Sequence, residues 1–202
     1  STIYYSDLYS QDVANIKAFF AKRGVNAAMK RITSEKALEL SAEEILSSQS
    51  PELQTMLAFA LTWSDNLLTE RIARLASQAA GYPLNNEGVA RTFDEVLTGL
   101  GVDSKGLLAI DASGLSHQNR ITAIQVARLL AKVRNDAKFA PLISGLPVGG
   151  VTGTLKKRFV DTAPQAIGLV KAKTGTLNGT ANLAGYFEAG DREYVFVIIA
   201  DR

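Results

Sequence analysis

From Gly168 onward the apolar residues leave the helical spacing that they keep before it and gather in short runs bounded by turn dipeptides. Spacings of three and four mark a helix, and short apolar runs between turn signals mark strands. Gly168 to Thr176, Ala181 to Ala189 and Glu193 to Ala200 therefore read as three strands. Asn178-Gly179 and Gly190-Asp191 stand between them, and both dipeptides favour tight hairpin turns. The strands are thus expected to form an antiparallel sheet. Tyr194 to Ala200 is almost wholly apolar, so that strand is expected to be covered on both faces. Helices must supply the cover, which gives an α+β class with a helical cluster packed against the sheet.

The helices are legible one by one. Val13, Ile16 and Phe20 follow an N-cap at Ser10, and Gly24 stops that segment. Ser41 with Glu44 makes a capping box. Ser50-Pro51 is expected to open a helix whose face carries Leu53, Met56, Leu57 and Leu61. Leu67, Leu68, Ile72, Leu75 and Ala79 continue to Gly81, and Val89, Phe93, Val96 and Leu100 continue to Gly101. Thr122 with Gln125 is a second capping box, ahead of Val126, Leu129, Leu130 and Val133.

Composition narrows the chemistry. The chain of 202 residues suits one domain, or one domain with a small appendage. Without cysteine it has no disulfide, no thiolate nucleophile and no thiolate metal site. Its single histidine, His117, rules out a multi-histidine metal site. A net charge of +2 with interspersed signs demands neither a nucleic acid nor a membrane surface as partner. No apolar run approaches the ~20 residues of a membrane span.

Three polar segments remain as candidates for chemistry: Ser64-Asp65-Asn66 between two helical stretches, Lys173-Thr174-Gly175-Thr176 at a strand end, and Asp111-Ala112-Ser113-Gly114-Leu115-Ser116 before the Thr122 helix. Taken alone, the first reads as a helix cap made by Ser64 and the second as an exposed strand end. Taken together they fit serine acyl transfer, which needs a nucleophile, a base, a proton relay and oxyanion donors. The Ser64 hydroxyl both accepts and donates a proton, and the Asn66 amide suits a peptide carbonyl. Lys173 brings a positive charge, Thr174 and Thr176 bring hydroxyls for a carboxylate, and Gly175 lets a ligand backbone lie close. No Gly-x-Ser-x-Gly elbow occurs, and His117 lacks the partners of a triad.

The chain resembles the D-alanyl-D-alanine carboxypeptidases and endopeptidases of the penicillin-binding protein 4 type. Trp63-Ser64-Asp65-Asn66-Leu67-Leu68-Thr69-Glu70 is similar to that family's serine-x-asparagine junction. Ile110 to Ser116 with Asn119-Arg120, and Leu146 to Val151 with Gly153-Thr154-Leu155 and Arg158-Phe159, resemble two further segments. The likeness runs from about Asp12 to Asp201 and is specific from Trp63 onward. It implies a serine peptidase that cleaves peptidoglycan stem peptides ending in D-Ala-D-Ala and is acylated by β-lactam antibiotics. Ser64 would relay the proton to the leaving D-alanine, Asn66 would hold the substrate amide, and Lys173, Thr174 and Thr176 would bind the terminal carboxylate. The N–H of Thr176 would be one oxyanion donor. Asp111 and Ser113 are read as bracing the active-site wall. No metal or organic cofactor is implied, and the substrate places the protein outside the cytoplasmic membrane.

One departure matters. Such enzymes carry the nucleophile in a Ser-x-x-Lys, and no serine here has lysine three residues on. Thr33-Ser34-Glu35-Lys36 only imitates it and reads as solvated surface. The expectation is therefore a β-lactamase/transpeptidase-like fold incomplete at both ends. Residues 1–202 would form a catalytic domain lacking the nucleophile segment and the family's final helix. A missing N-terminal segment or another chain would complete it. The alternatives are a non-catalytic homologue that binds wall peptides and a β-lactamase. The latter ranks lower, because no Glu-x-x-x-Asn stands between Asn66 and Lys173 to activate a deacylating water.

Overall fold

A computed structural model describes residues 2–5, 10–40 and 50–201. The chain divides into two compact units, residues 1–50 and 51–202. In the first, strand β1 (Thr2–Tyr5) leads through helix α1 (Ser10–Ala21) to strand β2 (Ala28–Arg31), which pairs parallel to β1 with Thr2 opposite Ala28. Helix α2 (Ser34–Glu39) follows. The pair of strands was not legible in the sequence. Lys36 lies exposed and pairs with Glu39 at 3.5 Å, as expected of solvated surface. The Ser41–Glu44 capping box lies outside the described residues.

The second unit holds helices α3 (Leu53–Trp63), α4 (Asn66–Ala79), α5 (Asn86–Gly99), α6 (Ala123–Arg134) and the short α7 (Ala140–Ser144). Strands β3 (Val170–Leu177), β4 (Thr180–Ala189) and β5 (Arg192–Asp201) follow as two antiparallel hairpins in the order β3-β4-β5. The two turns fall on Asn178-Gly179 and Gly190-Asp191, as the dipeptides predict. The Thr122–Gln125 capping box is formed in both directions, which places the start of α6. Helix α3 begins two residues beyond Pro51, with Glu52 at its N-cap and no side-chain cap bond.

Each face of the sheet has its own partner. Val170, Ala172, Leu183 and Phe196 pack with Leu155 and Phe159. On the opposite face Tyr186 is buried, and its hydroxyl donates to the Leu130 carbonyl of α6 at 2.9 Å. The expectation that β5 is covered on both faces is corrected. Val195, Phe196 and Val197 are half-buried, but Tyr194 is 44% exposed, Ile198 56% and Ile199 40%. β5 is an edge strand, and among the described residues the packing on it does not reach its ends. No described helix is long and apolar enough to cross a membrane.

Candidate active site

The site is built where α3 meets α4. α3 ends at Trp63, and Ser64 follows with φ 59° and ψ 49°, its N–H bonded to the Ala60 carbonyl. That left-handed conformation is uncommon for a residue with a Cβ. Asp65 then caps α4, its carboxylate accepting the Leu68 N–H at 2.8 Å. The cap is therefore Asp65 and not Ser64. The Ser64 hydroxyl is left to meet the Lys173 ammonium, which donates to it at 2.7 Å across 109 residues of sequence. Lys173 also donates to the Thr174 carbonyl at 2.8 Å. Burial lowers its pKa below the ordinary lysine value.

Two close approaches fix the end of α3. Thr62 donates to the Gly145 carbonyl at 2.8 Å, and a Cβ on Gly145 would stand 2.6 Å from the Ala58 Cα. The 3₁₀ turn Gly153–Leu155 abuts the same helix end, where a Cβ on Gly153 would collide with the Thr62 carbonyl oxygen. Only glycine permits backbones to approach so closely. Leu155, at the other end of that turn, is 1% exposed in the core beneath β3. The Thr154 hydroxyl between them lies 3.0 Å from the Thr174 hydroxyl.

β3 presents an open edge to this corner. The Pro147–Gly149 segment bonds its outer edge only as far as Ala172, through Gly149 N–H to Val170 O at 2.8 Å and Ala172 N–H to Pro147 O at 2.9 Å. Among the described residues, Lys173 to Leu177 have β4 alone as a ladder neighbour. Gly175 lies on this stretch. A Cβ there would meet nothing nearer than Asn182 at 3.5 Å, and its φ is not in the left-handed region. Folding thus places no demand for glycine at this position. Thr176 is exposed one residue on, and Asn66 stands half-buried at the first position of α4. A separate cleft of about 550 Å³, lined by Arg134, Asp136, Ile143, Leu146 and Lys171 among others, contains none of these candidate side chains.

The Asp111–Ser116 segment is tied to α4 from below. Glu70, one turn on from Asn66, accepts the N–H groups of Ala112 and Ser113, each at 2.8 Å, through one carboxylate oxygen. The Asp111 carboxylate accepts from the N–H of Gly114 and of Ser116, both at 2.6 Å, and from Asn119 at 3.1 Å. Burial of Asp111 works against its charge. Hydrogen bonds from Asn119, Gly114, Ser116 and Ser113 outweigh it and hold the carboxyl below its ordinary pKa. His117 is exposed, and its carbonyl accepts from Arg120 at 2.7 Å. Glu70 and Thr154 were missed as site residues, although both lie in segments that carry the resemblance. Asn182, opposite Gly175, was missed too, and its Oδ1 is buried with no partner among the described residues.

Residues 6–202 match the model of the D-Ala-D-Ala carboxypeptidase 3 (S13) family. The chain belongs to this family. It is 35% identical over 158 residues to carboxypeptidase DacB of Mycolicibacterium smegmatis, covering 76% of this chain and 34% of that protein. It is 35% identical over 164 residues to the D-alanyl-D-alanine carboxypeptidase of Actinomadura, covering 78% and 30%. The crystal structure of penicillin binding protein 4 from Haemophilus influenzae superposes with a TM-score of 0.78 at 22% identity, over 94% of this chain and 44% of that one. That likeness establishes the α+β penicillin-binding fold. The chain spans about a third of the length of the curated relatives it matches.

Proposed function

We propose that this S13 chain supplies the proton relay and carboxylate clamp of a serine-type D-Ala-D-Ala carboxypeptidase or endopeptidase, which acts on peptidoglycan peptides and is acylated by penicillins. The observation that carries this reading is the 2.7 Å contact between Lys173 and Ser64. It joins the two short segments that are ambiguous when taken alone. The nucleophile is a serine of a Ser-x-x-Lys outside these 202 residues, and that lysine takes the serine's proton. The serine oxygen bonds to the carbonyl carbon of the penultimate D-alanine. The leaving nitrogen takes a proton from the Ser64 hydroxyl, Lys173 resupplies Ser64, and the C–N bond breaks. Water then hydrolyses the acyl-enzyme ester.

The other groups fit this scheme. Asn66, at the first position of α4, supplies an amide for the substrate's peptide carbonyl. Thr174 and Thr176 take the terminal carboxylate beside the Lys173 charge, and the Thr176 N–H is an oxyanion donor. The protein interior does not require glycine at Gly175. Its lack of a side chain is explained by a ligand backbone lying along the open edge of β3. The residues outside this chain that bring the nucleophile also cover the exposed face of the sheet. Because peptidoglycan is the substrate, the protein works outside the cytoplasmic membrane.

Intact mass spectrometry of the full-length gene product and of this chain, each with and without benzylpenicillin, tests the reading. The full-length product is expected to gain the mass of one penicillin while the 202-residue chain, of 21.6 kDa, gains none. A full-length protein that takes up no adduct would overturn the enzymatic assignment and leave a wall-peptide-binding homologue.

A further inference from the structure

The Gly153-Thr154-Leu155 turn has no part in the scheme above, yet it is clamped at both ends beside it. Gly153 lies against the Thr62 carbonyl of α3, and Leu155 is sealed into the core with Val170 and Ala172. The residue between them is exposed, so packing does not demand a threonine there. What the clamp achieves is to set the Thr154 hydroxyl 3.0 Å from that of Thr174, the neighbour of Lys173.

A hydroxyl has one proton to give and two lone pairs to receive. In a pair of hydroxyls either can be the donor. When Thr174 donates to Thr154, its proton is spent inside the protein. When Thr154 donates to Thr174, the Thr174 proton is free to point at a ligand. A carboxylate is an acceptor only, so its arrival selects the second arrangement. An esterified carboxyl, which carries no charge, selects it much more weakly.

We infer that Thr154 is a positioning residue, which donates to Thr174 and thereby aims the Thr174 hydroxyl at the free carboxylate of the ligand, making the site selective for ligands that end in one. This deepens the peptidase reading and rests on it. Thr154 touches no reacting atom. It acts through Thr174 and bears on the discrimination between free and blocked termini.

The experiment measures acylation of the full-length protein by benzylpenicillin and by its methyl ester, for wild type, Thr154→Val and Thr154→Ser. Valine matches the shape of threonine without the hydroxyl, and serine keeps the hydroxyl. Thr154→Val is expected to lower the second-order rate constant for benzylpenicillin by about fivefold, the worth of one hydrogen bond, and to lower that for the ester much less. The preference for the free acid then shrinks by a similar factor, and Thr154→Ser restores it. Equal losses on both compounds would show a merely structural residue and overturn the proposal, as would no loss at all or a serine variant that behaves like valine. Failure of the wild-type protein to be acylated by benzylpenicillin would instead remove the peptidase reading, and this proposal with it.

Discussion

Ser64 holds a conformation that costs about 1–2 kcal/mol for a residue with a Cβ, and its hydroxyl there accepts from Lys173. The two effects separate in a pair of variants. Ser64→Gly and Ser64→Ala both lose the hydroxyl that Lys173 meets, and both are expected to cut acylation by about 10²–10⁴-fold. Only glycine relieves the backbone, so Ser64→Gly should be about 1 kcal/mol more stable than Ser64→Ala in urea titration. Equal stabilities would show that the left-handed conformation is not strained. Lys173 gives a pH prediction with a definite sign. Burial lowers its pKa, and its only hydrogen-bond partners among the described residues are the Ser64 hydroxyl and the Thr174 carbonyl. The ammonium that donates to Ser64 is therefore lost at a lower pH than in a free lysine, and on the proposed mechanism acylation should decline on the alkaline side before an ordinary lysine titrates. The unfolded chain keeps that proton longer than the folded one, so this group's effect on stability becomes more favourable as pH rises between the two values. Lys173→Arg retains its charge throughout, and its acylation profile should be flat over the range where wild type declines.

At the scale of elements, what could be read from sequence is what is encoded within a few residues. Asn178-Gly179 and Gly190-Asp191 fix two hairpins through turn geometry, and Thr122 with Gln125 fixes a helix start through reciprocal capping. β1 and β2 escaped because they are four residues each and pair in parallel across α1, so their partner is set by tertiary contact and not by a turn. The Ser64 and Lys173 segments were legible as types, but their 2.7 Å contact spans 109 residues and is a property of the fold. Glu70 shows the same limit, because its role depends on a loop 42 residues away. Its carboxylate holds the Ala112 and Ser113 N–H groups, so it joins the helix that begins at Asn66 to the Asp111–Ser116 wall. Glu70→Ala leaves both N–H groups without that acceptor and should cost about 2 kcal/mol in a denaturant titration. Cleavage within residues 111–119 should become faster under limited proteolysis. Glu70→Gln, which keeps an acceptor oxygen but not the charge, should fall between alanine and wild type. A wall that stays as protease-resistant in Glu70→Ala as in wild type would remove the bracing role.

Among the described residues the sheet is only partly covered on each face. α6 packs on the face that carries Tyr186, whose hydroxyl donates to the Leu130 carbonyl, and leaves Ile199 at the end of that face 40% exposed. The opposite face is sealed near Leu155 and Phe159, but further out Phe187 and Tyr194 stack at 5.6 Å with 37% and 44% exposure, and Ile198 is 56% exposed. Contiguous apolar surface on an edge strand invites association between copies, and soluble proteins rarely leave it bare. If residues outside this chain cover the face, one substitution should have two different costs. In the 202-residue chain, Ile198→Thr removes apolar surface that already meets solvent, so stability should change by less than about 0.5 kcal/mol while self-association decreases. In the full-length protein the same change would bury a hydroxyl in place of an ethyl group and should cost about 1–3 kcal/mol. Urea titrations of both proteins, with light scattering on the shorter one, measure the contrast. The same small cost in both would mean that Ile198 faces water in the complete protein as well, and the cover would then have to lie elsewhere on the sheet.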